Sequence, residues 1–150
     1  EADAVISALG QAEGSSSRLL TRAGKNILDA MEKHDVGRFV SLVGAGVDLP
    51  GDESTLGRTF MRGLMKVLAR DVLEDAQTHA DDVVESDIEY TLVRPPRLTD
   101  DEPTGRWTAE ETMKLGPSAS LTRADLGAFM VTVIEDDEFI RSAPMVVNRR

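Results

Sequence analysis

The run RFVSLVGA, Arg38 to Ala45, decides the architecture. It is short, nearly continuously apolar, rich in β-branched and aromatic residues, and bears a glycine at its end. A run of this kind reads as a strand covered on both faces, the signature of a parallel sheet. Upstream lies SSSRLLTRAGKNILDAMEKH, in which Leu20, Ala23, Ile27, Met31 and His34 recur at three- and four-residue spacing, one face of a helix. The reading takes a serine as its N-cap and Gly37 as its stop. Before that helix, AVISAL (Ala4 to Leu9), closed by Gly10, reads as another strand covered on both faces. Strand, helix and strand in that order form a βαβ unit with an expected right-handed crossover.

Downstream, GVDLPGDEST has loop chemistry, and LGRTFMRGLMKVLA places Leu56, Phe60, Leu64, Val67 and Leu68 on one side of a helix. A further helix has Val72, Leu73, Ala76, Ala80, Val83 and Val84 on its inner face. IEYTLVRP (Ile88 to Pro95) is then a third parallel strand, reached by a second crossover. The stretch Pro95 to Pro117 is irregular, with a short hairpin expected around GRWTAEE. In LTRADLGAFMVTVIEDDEF, Thr122 and Asp125 form a capping-box-like start, and Leu126, Phe129, Met130, Val133 and Ile134 form the buried face. PMVVN (Pro144 to Asn148) is a short final strand. No repeat or flexible linker interrupts residues 1–150, so one domain is expected. Its class is α/β: a mostly parallel, Rossmann-like sheet with helices on both faces.

The formal net charge of −10 disfavours binding to a phosphate backbone, which needs a basic face. No apolar stretch reaches the roughly 20 residues of a membrane span, and nothing resembles a signal peptide. A cytoplasmic protein without nucleic-acid or membrane partners is therefore expected. There is no cysteine, hence no disulfide framework and no thiolate metal site. The acidic pairs Asp81-Asp82, Asp100-Asp101 and Asp136-Asp137 lie in hydrophilic sequence on expected surfaces, so no metal is assigned. The acidic, lysine-poor surface suits either a high-salt cytoplasm or simple solubility.

Open α/β sheets bind ligands outside the carboxyl ends of their strands. Here those ends read ALG, VGAG and RPPR. Glycine at such a place lets a ligand approach the backbone closely, and it also simply ends strands.

The order VISALG, GKNILDAMEKHDVGRFVSLVGAGV, VVESDIEYTLVRPPRLTD and LTRADLGAFM resembles the atypical short-chain dehydrogenase/reductases. More narrowly, it resembles their NmrA-like and flavin reductase (biliverdin reductase B)-like NAD(P)-binding members. The resemblance runs over nearly the whole chain. It implies a C-terminal portion, because the opening strands and the G-x-x-G-x-x-G turn that holds the cofactor pyrophosphate are absent. It also implies NAD or NADP as cofactor and a small-molecule substrate, and leaves oligomeric state open.

By the same resemblance, Ala8, Leu9 and Gly10, then Val43 and Gly44, then Pro95, Pro96 and Arg97 lie against the cofactor. Arg94 and Arg97 would meet a phosphate or an anionic substrate, or else pair with Asp100 and Asp101. Val43 and Gly44 stand where the superfamily often has a catalytic Ser or Thr, with Ser41 one pleat earlier on the same side. The superfamily's Tyr-x-x-x-Lys pair is missing; the sole tyrosine, Tyr90, is followed four residues on by Arg94. That leaves Ser41 and His79 as catalytic candidates. His79 titrates near neutrality, although its helix face with Ala76 and Val83 suits a buried structural role as well. His34, at a helix end, complements the dipole. The implied activity is hydride transfer to a small carbonyl, flavin or quinone-like acceptor. The alternative is a non-catalytic redox sensor that binds the dinucleotide.

Overall fold

The structure is a computed structural model that describes residues 2–12, 14–49, 52, 63 and 70–149. Its elements are β1 (Ala4–Ser7), α1 (Leu19–Lys33), β2 (Arg38–Leu42), α2 (Arg70–Glu85), β3 (Glu89–Val93), β4 (Leu98–Thr99), β5 (Trp107–Glu110), β6 (Leu121–Thr122), α3 (Arg123–Glu135) and β7 (Met145–Asn148). The helix expected over Leu56–Leu68 lies outside the described residues apart from Gly63. The central sheet is parallel, in the order β1-β2-β3, with Val5 opposite Phe39 and Phe39 opposite Tyr90. Residues 142–145 run parallel along the free side of β3 through bridges at Thr91–Ser142 and Arg94–Met145.

The two faces of β2 divide the core. Phe39 and Val43 join Leu20 and Met31 of α1 and Ala76, Ala80 and Val83 of α2. On the opposite face Val40 and Val93 pack under Leu126, Phe129, Met130 and Val133 of α3. The sheet thus has helices on both faces, as the alternating pattern predicts. Arg38 ties these layers together. Its buried guanidinium donates to the Thr91 hydroxyl (2.8 Å) and to the Val133 and Glu138 carbonyls (both 3.1 Å), fastening β2 to the end of α3. Burial lowers its pKa, partly offset by Glu89 and Asp137.

Several local expectations are corrected. β1 is not covered on both faces: Val5 packs against the α1–α2 side, but Ile6 is 42% exposed because α3 lies over β2 and β3 only. The residue at the N-cap of α1 is Arg18, not a serine, and its side chain makes no capping bond. The helix stops at Asp35 rather than Gly37. Asp35 takes φ 56°, and the Val36 and Asp35 amides donate back to Met31 and Glu32 (2.9 and 3.3 Å). This is a Schellman closure with a left-handed aspartate, one of the few non-glycine residues suited to that conformation. His34 is exposed, and Val72 is only partly covered, so neither belongs to a core face.

GRWTAEE forms no hairpin of its own: β5 pairs antiparallel with β7, 35 residues or more downstream, because the apolar positions of β7 need an edge partner. The Thr122 hydroxyl does accept from the Asp125 amide (3.0 Å), but the Asp125 carboxylate does not return to Thr122. It takes the Thr104 and Gly105 amides (both 2.9 Å) and the Asn148 amide group instead, while Asn148 Oδ1 accepts from Thr122 N (2.8 Å).

Candidate functional site: the carboxyl edge of the parallel sheet

Parallel register brings the three strand ends to one edge, since Ser7 lies opposite Ser41 and Leu42 opposite Val93. Ala8, Leu9 and Gly10 leave β1 there exposed, Leu9 at 42%. Val43 is buried and donates its amide to the Val93 carbonyl (3.0 Å). Gly44 takes φ 84°, a conformation that favours glycine, and a Cβ built on it would meet nothing within 4 Å. The strand end is therefore both bent and open. The Ala45 amide donates to the Pro95 carbonyl (3.1 Å), joining the β2 and β3 ends. Pro95 is buried, Pro96 half-buried and Arg97 exposed.

The two arginines of RPPR part company. Arg94 turns inward, 1% exposed, and its guanidinium is fully engaged. It grips Asp52 through Nη1 (2.7 and 3.0 Å) and donates to the carbonyls of Ala143 (2.8 Å) and Glu111 (3.0 Å). That arrangement overturns the expectation of a surface cation meeting a phosphate. Arg97 faces solvent and pairs with neither Asp100 nor Asp101; Asp100 is held by Arg123 at 2.8 Å. A cavity of about 250 Å³ lies beside Arg94, lined by Tyr90, Arg141 and Ser142 among others; Leu9, Gly10, Val43, Gly44, Pro95, Pro96 and Arg97 do not border it.

Ser41 and His79 are brought together, in the interior. Ser41 Oγ and His79 Nε2 are 2.8 Å apart, and the residues are 1% and 3% exposed. His79 Nδ1 is buried against Gly24 of α1 without a hydrogen-bond partner among the described residues. Burial pushes the imidazole pKa below its ordinary 6.5, against the opposing pull of Asp75 and Asp82. The pair joins sheet to helix and does not open onto the edge. Tyr90 is also buried, with the Arg141 guanidinium 5.5 Å above its ring.

Asp75, which no local motif marks as a site residue, caps α1 from another helix. Its carboxylate accepts from the Leu20 and Thr21 amides (2.8 and 2.9 Å), the Thr21 hydroxyl (2.7 Å) and Gln11 Nε2 (2.6 Å). Burial alone would raise its pKa; these hydrogen bonds outweigh that and hold it below the ordinary carboxylate value. The N-terminus of α1, a place where a phosphate could otherwise sit, is thereby taken by the protein's own anion. A signal was present: Asp75 lies four residues before His79, among Leu73, Ala76 and Ala80 on the buried face. An acid so placed demands a partner.

A family model described as NAD(P)H-binding matches residues 1–137. The chain belongs to the NAD(P)H-binding family. The family's ligand is NAD or NADP, in keeping with the atypical short-chain resemblance. Solved structures share the fold of this family member. One is a candidate NAD-dependent epimerase/dehydratase from Bacillus halodurans, with 22% identity over 98% of this chain and 64% of that one, TM-score 0.76. Another is the oxidoreductase YlbE from Lactococcus lactis, with 19% identity over 99% and 63%, TM-score 0.75. A third is ChuY, an anaerobilin reductase from Escherichia coli O157:H7, with 17% identity over 97% and 63%, TM-score 0.75. The chain thus spans less than two thirds of the length of these three proteins.

The described residues suit one side of a dinucleotide. The Ala8–Gly10 segment and Gly44 offer open backbone at the sheet edge, and Arg97 offers an exposed cation. The 150 residues contain no G-x-x-G-x-x-G turn for the pyrophosphate. Among the described residues, no helix is long and apolar enough to cross a membrane.

Proposed function

We propose that the chain is the part of an NAD(P)-dependent oxidoreductase of the atypical short-chain type that seats the reacting end of the cofactor and its acceptor. The acceptor class is a small carbonyl, flavin or quinone-like molecule. One observation carries the reading: in a chain of the NAD(P)H-binding family, three parallel strand ends meet at an edge with exposed Leu9, left-handed Gly44 and the rigid Pro95-Pro96 turn. Ala8, Leu9, Gly10, Val43, Gly44, Pro95, Pro96 and Arg97 are the residues proposed to hold the dinucleotide. Its nicotinamide supplies the hydride, so the protein's task is to orient and to exclude water. Leu9 gives an exposed apolar side chain and Val43 its backbone, the prolines hold the backbone in one conformation, and Arg97 attracts a phosphate or an anionic acceptor.

The sensor reading has its own support. Val43 and Gly44 bring no hydroxyl to the edge, and Ser41, His79 and Tyr90 are all buried away from it. Titration of the chain with NADH and NADPH, followed by turnover assays on flavin, quinone and aldehyde panels, separates the two. Binding with turnover on any panel supports the oxidoreductase. Binding with none supports the sensor, and a chain that binds neither dinucleotide overturns both.

A further inference from the structure

We propose that Gln11 is a positioning residue for the dinucleotide, acting through Asp75; this rests on the functional reading above. Among the described residues, the Gln11 carboxamide makes the one hydrogen bond, outside the sheet ladder, that ties residues 8–11 to the rest of the fold. Its partner is 64 positions away in sequence. At 2.6 Å, with an ionised acceptor, it belongs to the stronger class of hydrogen bonds.

Asp75 is a fixed anchor. It is 3% exposed, and the Leu20 amide, the Thr21 amide and the Thr21 hydroxyl already orient its carboxylate. Gln11 therefore borrows the rigidity of the α1–α2 pair. Its own neighbours have none of this: Ala8, Leu9, Gly10 and Ala12 are exposed, and Gly10 has open space around it. Beyond Gln11 the chain closes into a turn, the Ala12 amide donating to Ser15 Oγ (2.9 Å) and the Ser15 amide to the Ala12 carbonyl (3.0 Å). The segment Ala8–Gly10 is thus strung between the end of β1 and one side-chain clamp. A segment ordered before binding loses less conformational entropy when the ligand arrives. The clamp touches no ligand itself; it holds the backbone that does.

The test compares the chain with Gln11→Ala and Gln11→Glu. The first removes the bond; the second keeps the size and sets a carboxylate against a carboxylate. Backbone NMR order parameters of the ligand-free chain should fall over residues 8–12 in both variants, while amide exchange stays unchanged within α1 and α2. NADPH or NADH affinity should fall about tenfold, the effect of one charge-assisted bond. The melting midpoint should fall by no more than about 3–6 °C, the loss of one such bond. If the unsubstituted chain binds neither dinucleotide, the functional reading itself fails and this inference with it. If it binds and Gln11→Ala stays within twofold, only the clamp is overturned. Faster exchange throughout α1 and α2 with a matching loss of melting midpoint would also overturn it, by showing a merely structural bond.

Discussion

His79 Nε2 lies 2.8 Å from Ser41 Oγ, and the opposite nitrogen of the same ring is pressed against Gly24. One imidazole thus joins the central strand β2 to both helices of one face. A neutral ring can leave a bare nitrogen in the interior, whereas a charged ring has two N–H groups to satisfy and one partner among the described residues.

The first prediction follows from that asymmetry. The folded state holds the His79 pKa below 6.5, so in that range the unfolded chain binds more protons. Stability from the neutral ring is complete above 6.5 and is lost as the pH falls through and below it. Urea midpoints measured across this range should decline on acidification, and His79→Gln should flatten the decline. Ser41→Ala should cost about 1–3 kcal/mol by leaving Nε2 unpaired, without altering dinucleotide affinity. A flat profile in the unsubstituted chain would show that His79 is accessible to protons in the fold.

Gly24 is small because of His79. A Cβ at Gly24 would fall onto the ring, 2.7 Å from Cε1. Gly24→Ala should therefore destabilise by about 1–3 kcal/mol, although alanine is the better helix former. His79→Ala in the same chain should remove most of that penalty, giving a coupling of about 0.5–3 kcal/mol in a double-mutant cycle. Additive effects would mean that the two residues do not share the space.

Asp125 sets a second, more acidic window. Burial opposes ionisation, but bonds from Thr104, Gly105 and Asn148 pull its pKa from 3.8 to about 2. A lowered carboxyl pKa contributes stability that is full above 3.8 and is lost as the pH falls through that value toward 2. The contribution is roughly 2 kcal/mol. Asp125→Asn should lose about this much at neutral pH and show a shallower acid transition. It should also free the 104–105 turn, visible as faster amide exchange there. An unchanged acid transition would place the sensitivity elsewhere.

Arg94 carries the last prediction. Arg94→Met removes the guanidinium that grips Asp52 and strands the Ala143 and Glu111 carbonyls, and should cost about 3–5 kcal/mol in urea unfolding. Arg94→Lys keeps a cation but not the fork, and should recover less than half of that loss. Equal stability of Lys and Arg at this position would show that charge alone matters.

Periodicity determined the alternation of strands and helices, and with it the parallel sheet with helices on both faces. Leu20 and Met31, Ala76 and Val83, Leu126 and Val133 were all legible, because burial of an apolar face is written at fixed spacing. The shared edge of Gly10, Gly44 and Pro95 followed too, since parallel strands point one way. What tertiary structure alone decided is where the polar groups go. Asp75 caps a helix 55 residues away, Arg94 turns inward to Asp52, Asp125 reaches across to Thr104, and β5 finds β7. Hydrogen-bond partners are chosen by proximity in the folded chain, and no local pattern encodes proximity across such separations. Apolar burial is generic and shows in the sequence; the pairing of a buried charge is particular and exists only once the elements have packed.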